Sequence, residues 1–298
     1  MSLLARLDRY RSLMWAILVL LAAGIVVWTS LADPGINGYA RAMFPDMVYG
    51  KAHKPYVYRT LVPSTVRALQ AVVPQKLRID LIEAVERQEA IVSLFVHLGW
   101  ETNYAIEYGI VIVVLFLSVL GFMGALQYLY EGLFDGPANY AKLIGLLAGV
   151  SLMPLLKYYN YIYDFPQLFL FTLALGLMAR KNWAHHLVVF VFCCFNKETS
   201  ILLVMVFFFY FLGDRELDRH IFWKFILIQM AIFMLVKGVL TFIYLDNPGS
   251  FVEFHLYDYN LIKLRKIKVV DLLLWGGGLG FLVFSNGFRN PGFCESPS

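Results

Sequence analysis

Hydrophobic residues in this chain come mostly in long unbroken runs. The first run covers residues 13–31 and stops before Asp33-Pro34. A helix rises 1.5 Å per residue, so about 19 apolar residues suffice to cross a bilayer. Arg6, Arg9 and Arg11 precede this run, and no small-x-small cleavage signature follows it. The pattern predicts an uncleaved span with its N-terminus in the cytoplasm. A second clear run covers 106–129, and a long one covers 221–245. The runs at 141–156 and 165–179 are short. Those at 185–195 and 199–212 are shorter still, and Asn196-Lys197-Glu198 splits them. The last, 269–285, is loosened by Gly276, Gly277, Gly278 and Gly280.

The pattern changes between Asp33 and about Tyr104. Residues 61–73 and 78–99 show helical spacing of apolar positions. Leu81, Ile82, Val85, Ile91, Leu94 and Phe95 fall on one side; Arg78, Asp80, Glu83, Glu86, Arg87 and Glu89 largely fill the other. Such helices lie flat on a membrane or pack on a bundle. The expected fold is therefore all-α: a polytopic transmembrane bundle of about eight hydrophobic segments, some short and broken. A first outer loop, about residues 32–104, carries amphipathic helices. Residues 1–285 read as one domain and 286–298 as a polar tail.

Composition agrees with that reading. Apolar types make up 60% of the 298 residues and charged types 15%, with a mean hydropathy of +0.66. A soluble domain is nearer half apolar and a quarter charged, which argues against a soluble enzyme, a disordered tail or a nucleic-acid-binding module. The net charge of +4 says less here, because basic residues also orient spans. Alternation from a cytoplasmic N-terminus puts Arg180, Lys181, Arg215 and Arg219 inside, as the positive-inside rule expects. The cluster Lys263, Arg265, Lys266, Lys268 falls outside and conflicts with it. Cys193 and Cys194 sit in an apolar run with no metal-binding spacing and read as packing residues. His185 and His186 flank a cytoplasmic turn and read as interfacial. His255, with Glu253 and Asp258, is a weak metal candidate.

The same alternation brings the unusual polar segments to the outer side: Asp33 to Arg67, Lys157 to Asp164, Asn196 to Glu198, and Asp246 to Asn260. In Pro55-Tyr56-Val57-Tyr58-Arg59-Thr60-Leu61-Val62-Pro63, an arginine held between tyrosines can clamp a phosphate, or it can snorkel within an aromatic belt. In the 157–166 segment, Tyr158, Tyr159, Tyr161 and Tyr163 precede Asp164-Phe165-Pro166. The tyrosines can stack on sugar rings, and Asp164 can serve as a helix N-cap. Asn196, Lys197 and Glu198 interrupt an apolar stretch, and ionisable groups at membrane depth are functional candidates by default. Lys197 and Glu198 could neutralise each other or form the loop of a hairpin of half-length helices. Asp33, and less strongly Asp46, could act as a general base; Asp33-Pro34-Gly35 is also an ordinary turn. Nucleotide-binding, GxSxG and HExxH patterns are absent.

Taken in order, these features resemble the polytopic GT-C-type glycosyltransferases and their bacterial membrane-protein relatives, over roughly residues 10–245. The features are a first span, an outer loop with Asp33 and Tyr58-Arg59-x-Leu61-x-Pro63, a tyrosine-rich loop ending Asp164-x-Pro166, and a run broken by Asn196-Lys197-Glu198-Thr199. The resemblance implies a multi-pass bacterial inner-membrane enzyme that moves a sugar from a polyprenyl-phosphate-linked donor. It implies Asp33 or Asp46 as catalytic base and Arg59 and Lys197 as phosphate-binding cations. Tyr58, Tyr161, Tyr163, Asp164, Asn196 and Glu198 complete the expected substrate site. Partners would be membrane lipid and the lipid-linked donor, with no nucleic acid. No cofactor is demanded, and there is room for a divalent cation. Two other functions fit the same motifs: a transporter or flippase of an anionic or lipid-linked substrate, and a non-catalytic subunit of an envelope-assembly complex.

Overall fold

The computed structural model describes residues 3–32, 35–153, 160–214 and 217–251. Asp33, residues 157–159, Arg215, the 253–268 positions, the 269–285 run and the 286–298 tail lie outside the described residues. Within them the chain is helical, with no strand and one isolated bridge between Lys54 and Gly249. Three helices are long and apolar enough to cross a membrane: the Ser12–Ala32 part of α1 (Leu3–Ala32), the Thr102–Leu133 stretch containing α6 (Ala105–Leu133), and α11 (Arg219–Ile243). Their outward residues, among them Leu13, Leu21, Leu227 and Leu235, stay exposed, as a lipid-facing surface would.

The remaining apolar runs among the described residues form shorter helices, so the expected count of about eight spans is not established. They are α7 (Ala138–Val150), α8 (Asp164–Ala179), α9 (Trp183–Asn196) and α10 (Ile201–Phe211). The 16, 14 and 11 residues of α8, α9 and α10 reach only about 24, 21 and 17 Å against a hydrocarbon core of about 30 Å. Trp183, at the start of α9, packs on Phe207 and Phe211 near the end of α10. The chain therefore reverses at Lys197–Ser200, as a hairpin of half-length helices requires.

Helix α6 is the centre of the bundle, packing on α8, α7 and α1. Close approach depends on missing side chains. A Cβ on Gly145 of α7 would lie 2.6 Å from the Met123 carbonyl oxygen, and one on Gly176 of α8 would lie 2.6 Å from the Tyr128 ring. Small residues let helix backbones meet where lipid supplies no hydrophobic drive.

The segment between α1 and α6 folds into α2 (Phe44–Val48), α3 (Leu61–Val72), α4 (Gln75–Glu86) and α5 (Glu89–His97). Helix α3 matches the periodicity at 61–73. The helix expected over 78–99 is broken at Arg87-Gln88, so its apolar positions do not share one stripe. Phe95 is buried and Val85 and Ile91 pack on the core, whereas Leu81 and Leu94 remain exposed. Glu107, in the first turn of α6 and 1% exposed, ties this segment down. One carboxylate oxygen accepts from Tyr49 at 2.7 Å, Gln70 at 2.8 Å and Arg78 at 3.0 Å.

Candidate functional site

The site is built at the α9–α10 reversal. Helix α9 ends at Asn196, and Lys197 is extended, with φ −157° and ψ 146°. Successive side chains on an extended backbone point in opposite directions, so Lys197 and Glu198 do not neutralise each other. The Lys197 ammonium donates to Asp164 at 2.8 Å. Glu198 receives the Arg59 guanidinium in a fork, at 2.5 and 3.3 Å. Two cations and two carboxylates from three distant segments thus meet at one break.

Arg59 follows a 3-10 turn at Tyr56–Tyr58 and is buried. The Thr60 amide donates to the Phe195 carbonyl at 2.9 Å, stitching this segment to the end of α9. The guanidinium lies 4.9 Å from the Tyr56 ring centre and 4.2 Å from that of Tyr163, and donates to the Tyr163 hydroxyl. The clamp of tyrosines read from the sequence is real, but its members are Tyr56 and Tyr163. Tyr58 instead turns toward Thr241 of α11, without a well-formed hydrogen bond, and burial raises its phenol pKa. Tyr161 stacks on Tyr163 with centres 5.1 Å apart and on Tyr56 at 5.4 Å. Burial raises the Tyr161 pKa well above that of a free phenol, so the hydroxyl keeps its proton. Lys197 lies 5.1 Å from the Tyr163 ring centre, so this ring faces both cations.

Asp164 opens α8 as its first helical residue; Tyr163 occupies the cap position with no side-chain cap bond. The N-cap expected of Asp164 gives way to two stronger demands: one oxygen takes Lys197, and the other accepts the Tyr161 amide at 3.3 Å. Asn196, fully buried, donates to the Tyr163 carbonyl at 2.8 Å and to Gln167 at 3.0 Å, fixing the end of α9 to the start of α8. Asp46 lies in α2, which packs on α3 just beyond Arg59. Its carboxylate has no hydrogen-bond or ion-pair partner among the described residues.

A cavity of about 10 Å³ adjoins Asp164, lined in part by Ser30, Ile36, Asn160 and Tyr161. That is room for about one water molecule, so a larger ligand requires side chains to move. Glu198 is not among its lining residues; its side chain is 43% exposed against 9% for Arg59.

Several residues stand apart from the sequence reading. His186 is fully buried rather than interfacial, because it lies on the side of α9 that faces α8 and α11, whereas its neighbour His185 is exposed. His186 contacts the Ala174 carbonyl at 2.9 Å and Gln229 at 3.3 Å. Cys193 and Cys194 are buried packing residues. Among the described residues no three His, Cys, Asp or Glu side chains group as metal ligands. The residue that motif reading missed is Lys237 of α11. Its ammonium is buried without a hydrogen-bond partner among the described residues, and it interacts electrostatically with Glu198 and Arg59. A lysine in the middle of the 221–245 run, away from Lys224 at its start, was the available signal. Comparison with protein-family models, curated proteins and solved structures finds no match to this chain.

Proposed function

We propose that this chain is a multi-pass inner-membrane protein of glycosyltransferase type, taking a sugar from a polyprenyl-phosphate-linked donor on the outer side of the membrane. The observation that carries this reading is the meeting of Arg59 and Lys197 on the Tyr163 ring, at the reversal between two half-length apolar helices. Non-helical backbone at membrane depth is tolerated around protein or a water-filled cavity, which is where a lipid headgroup would enter.

In this reading the donor phosphate displaces the Glu198 carboxylate from Arg59 and shares Lys197 with Asp164. The acceptor hydroxyl attacks the anomeric carbon, and the bond from that carbon to the phosphate oxygen breaks. The electron pair leaves with the phosphate, and Arg59 and Lys197 stabilise the added charge. Asp33, or failing it Asp46, takes the acceptor proton. Ser30 and Ile36, which bracket Asp33 in the chain, line the same small cavity as Asp164. Tyr56, Tyr161 and Tyr163 offer aromatic faces to the sugar.

The test is turnover. Reconstituted protein supplied with polyprenyl-phosphate-linked sugars should release free polyprenyl phosphate, and Asp33→Asn should stop release while leaving the protein folded. Full release by both Asp33→Asn and Asp46→Asn would remove the catalytic assignment.

The half-length hairpin with ionisable groups at its turn also suits a transporter or flippase, whose sites are built from interrupted helices. Movement of the lipid-linked substrate across vesicles with no bond broken would establish that reading instead.

A further inference from the structure

We propose that Lys237 is the third cation of a phosphate-binding site, donating from the spanning helix α11 to an oxygen of the same phosphate that Arg59 and Lys197 hold. This rests on the phosphate reading of those two residues and adds a member from a different element.

Lys237 lies between Val236 and Leu240, two buried residues of α11, and one turn before Thr241, which Tyr58 faces. That side of α11 packs on α9 and on the Tyr56–Tyr58 turn. A lysine in a spanning helix ordinarily extends its chain to carry the ammonium to the interface. Here the ammonium is buried within the bundle, and the groups it senses are Glu198, Cys194 and Arg59.

Those groups do not satisfy it. Both Glu198 oxygens are engaged by Arg59, at 2.5 and 3.3 Å, and Asp164 is taken by Lys197 at 2.8 Å. A buried ammonium with no acceptor is strongly unfavourable. Arg59, Lys197 and Lys237 bring three basic side chains to the break against the two carboxylates of Glu198 and Asp164, and an added anion would supply the acceptor that Lys237 lacks. Two further donors around the break also lack partners among the described residues: the Tyr58 hydroxyl and the Gln167 amide nitrogen. Buried polar atoms without partners are rare in native structures, and several at one place point to a ligand or water. A tetrahedral oxyanion has enough acceptor oxygens to meet donors arriving from the end of the Tyr56–Tyr58 turn, the α9–α10 reversal and α11 at once.

The experiment measures phosphate-dependent thermal stabilisation of the purified full-length chain in detergent. A polyprenyl monophosphate and inorganic phosphate are titrated separately against wild type, Lys237→Met, Lys237→Arg and Arg59→Ala. Wild type should be stabilised by the lipid phosphate. Lys237→Met should weaken that binding by roughly tenfold to a hundredfold, the range for losing one charge-assisted hydrogen bond. Its melting temperature without phosphate should stay the same or rise, because an apolar side chain of similar shape removes an unpaired charge. Lys237→Arg should restore most of the binding. If Lys237→Met does not purify, Lys237→Gln gives the same comparison. Equal stabilisation by inorganic phosphate, with the same dependence on Lys237, would keep the site and assign it to a free anion. Binding retained in Lys237→Met but lost in Arg59→Ala would overturn this inference alone. A lower melting temperature without phosphate, with undiminished binding, would make Lys237 a structural partner of Glu198 and also overturn it. Failure of wild type to bind either phosphate would overturn both this inference and the reading beneath it.

Discussion

Glu107 and Glu198 both anchor polar knots where the long loop meets the bundle, and they are held in opposite ways. Glu107 is almost inaccessible, and one of its oxygens gathers three donors from α3, α4 and the turn after α2. Its one charged partner, Arg78, balances it. Glu198 is 43% exposed on its side chain and pairs with a nearly buried arginine. Around it, cations outnumber carboxylates, and one of them has no acceptor among the described residues. The first knot is buried and charge-balanced, which suits a clamp, although the second Glu107 oxygen has no hydrogen-bond partner among the described residues. The second is open and has more basic than acidic side chains, which suits exchange of its carboxylate for another anion.

That contrast predicts a hierarchy of effects. Glu107→Ala should destabilise the protein most, by about 3 kcal/mol, because it removes three hydrogen bonds and a buried ionic partner. Thermal unfolding in detergent measures it, and phosphate binding per folded molecule should be unchanged. Arg59→Ala should do the reverse. It should cost roughly a hundredfold in sugar transfer, the scale of one missing donor to a developing anion, with a smaller loss of stability because water can reach Glu198. Lys197→Ala should reduce transfer by about tenfold, since a more exposed lysine makes a weaker charge-assisted contact. Its pair with Asp164 is itself partly open, at 25% and 34% exposure, so stability should hardly move. Arg87→Ala sets the floor. Its pair with Glu83 is exposed at 77% and 52%, and removing it should change stability by no more than about 0.5 kcal/mol. If Glu107→Ala abolished phosphate binding in folded protein, the division between clamp and site would fail.

Much of the second knot was visible in the sequence. Arg59, Asp164, Lys197 and Glu198 stood out because charge is rare beside long apolar runs. Their pairing was not visible, because it depends on the extended backbone at Lys197, which sends adjacent charges to different partners. The tyrosine clamp was half legible: the 3-10 turn at Tyr56–Tyr58 presents Tyr56 to Arg59 and turns Tyr58 toward α11. Lys237 and Glu107 went unmarked because each is a single charge within or at the edge of a span, with no motif around it. The number of spans was the weakest part of the reading. Periodicity and hydropathy locate an apolar run, but they do not show whether a helix of 11 to 16 residues crosses the membrane or turns back within it.

Whether the Arg59–Lys197 knot binds a lipid-linked phosphate is tested most directly by mass spectrometry of lipid copurifying with wild type, Arg59→Ala and Lys197→Ala. A polyprenyl phosphate species carried by wild type and depleted in both variants is the predicted result. Bulk phospholipid alone, in the same amounts in all three, would contradict the claim.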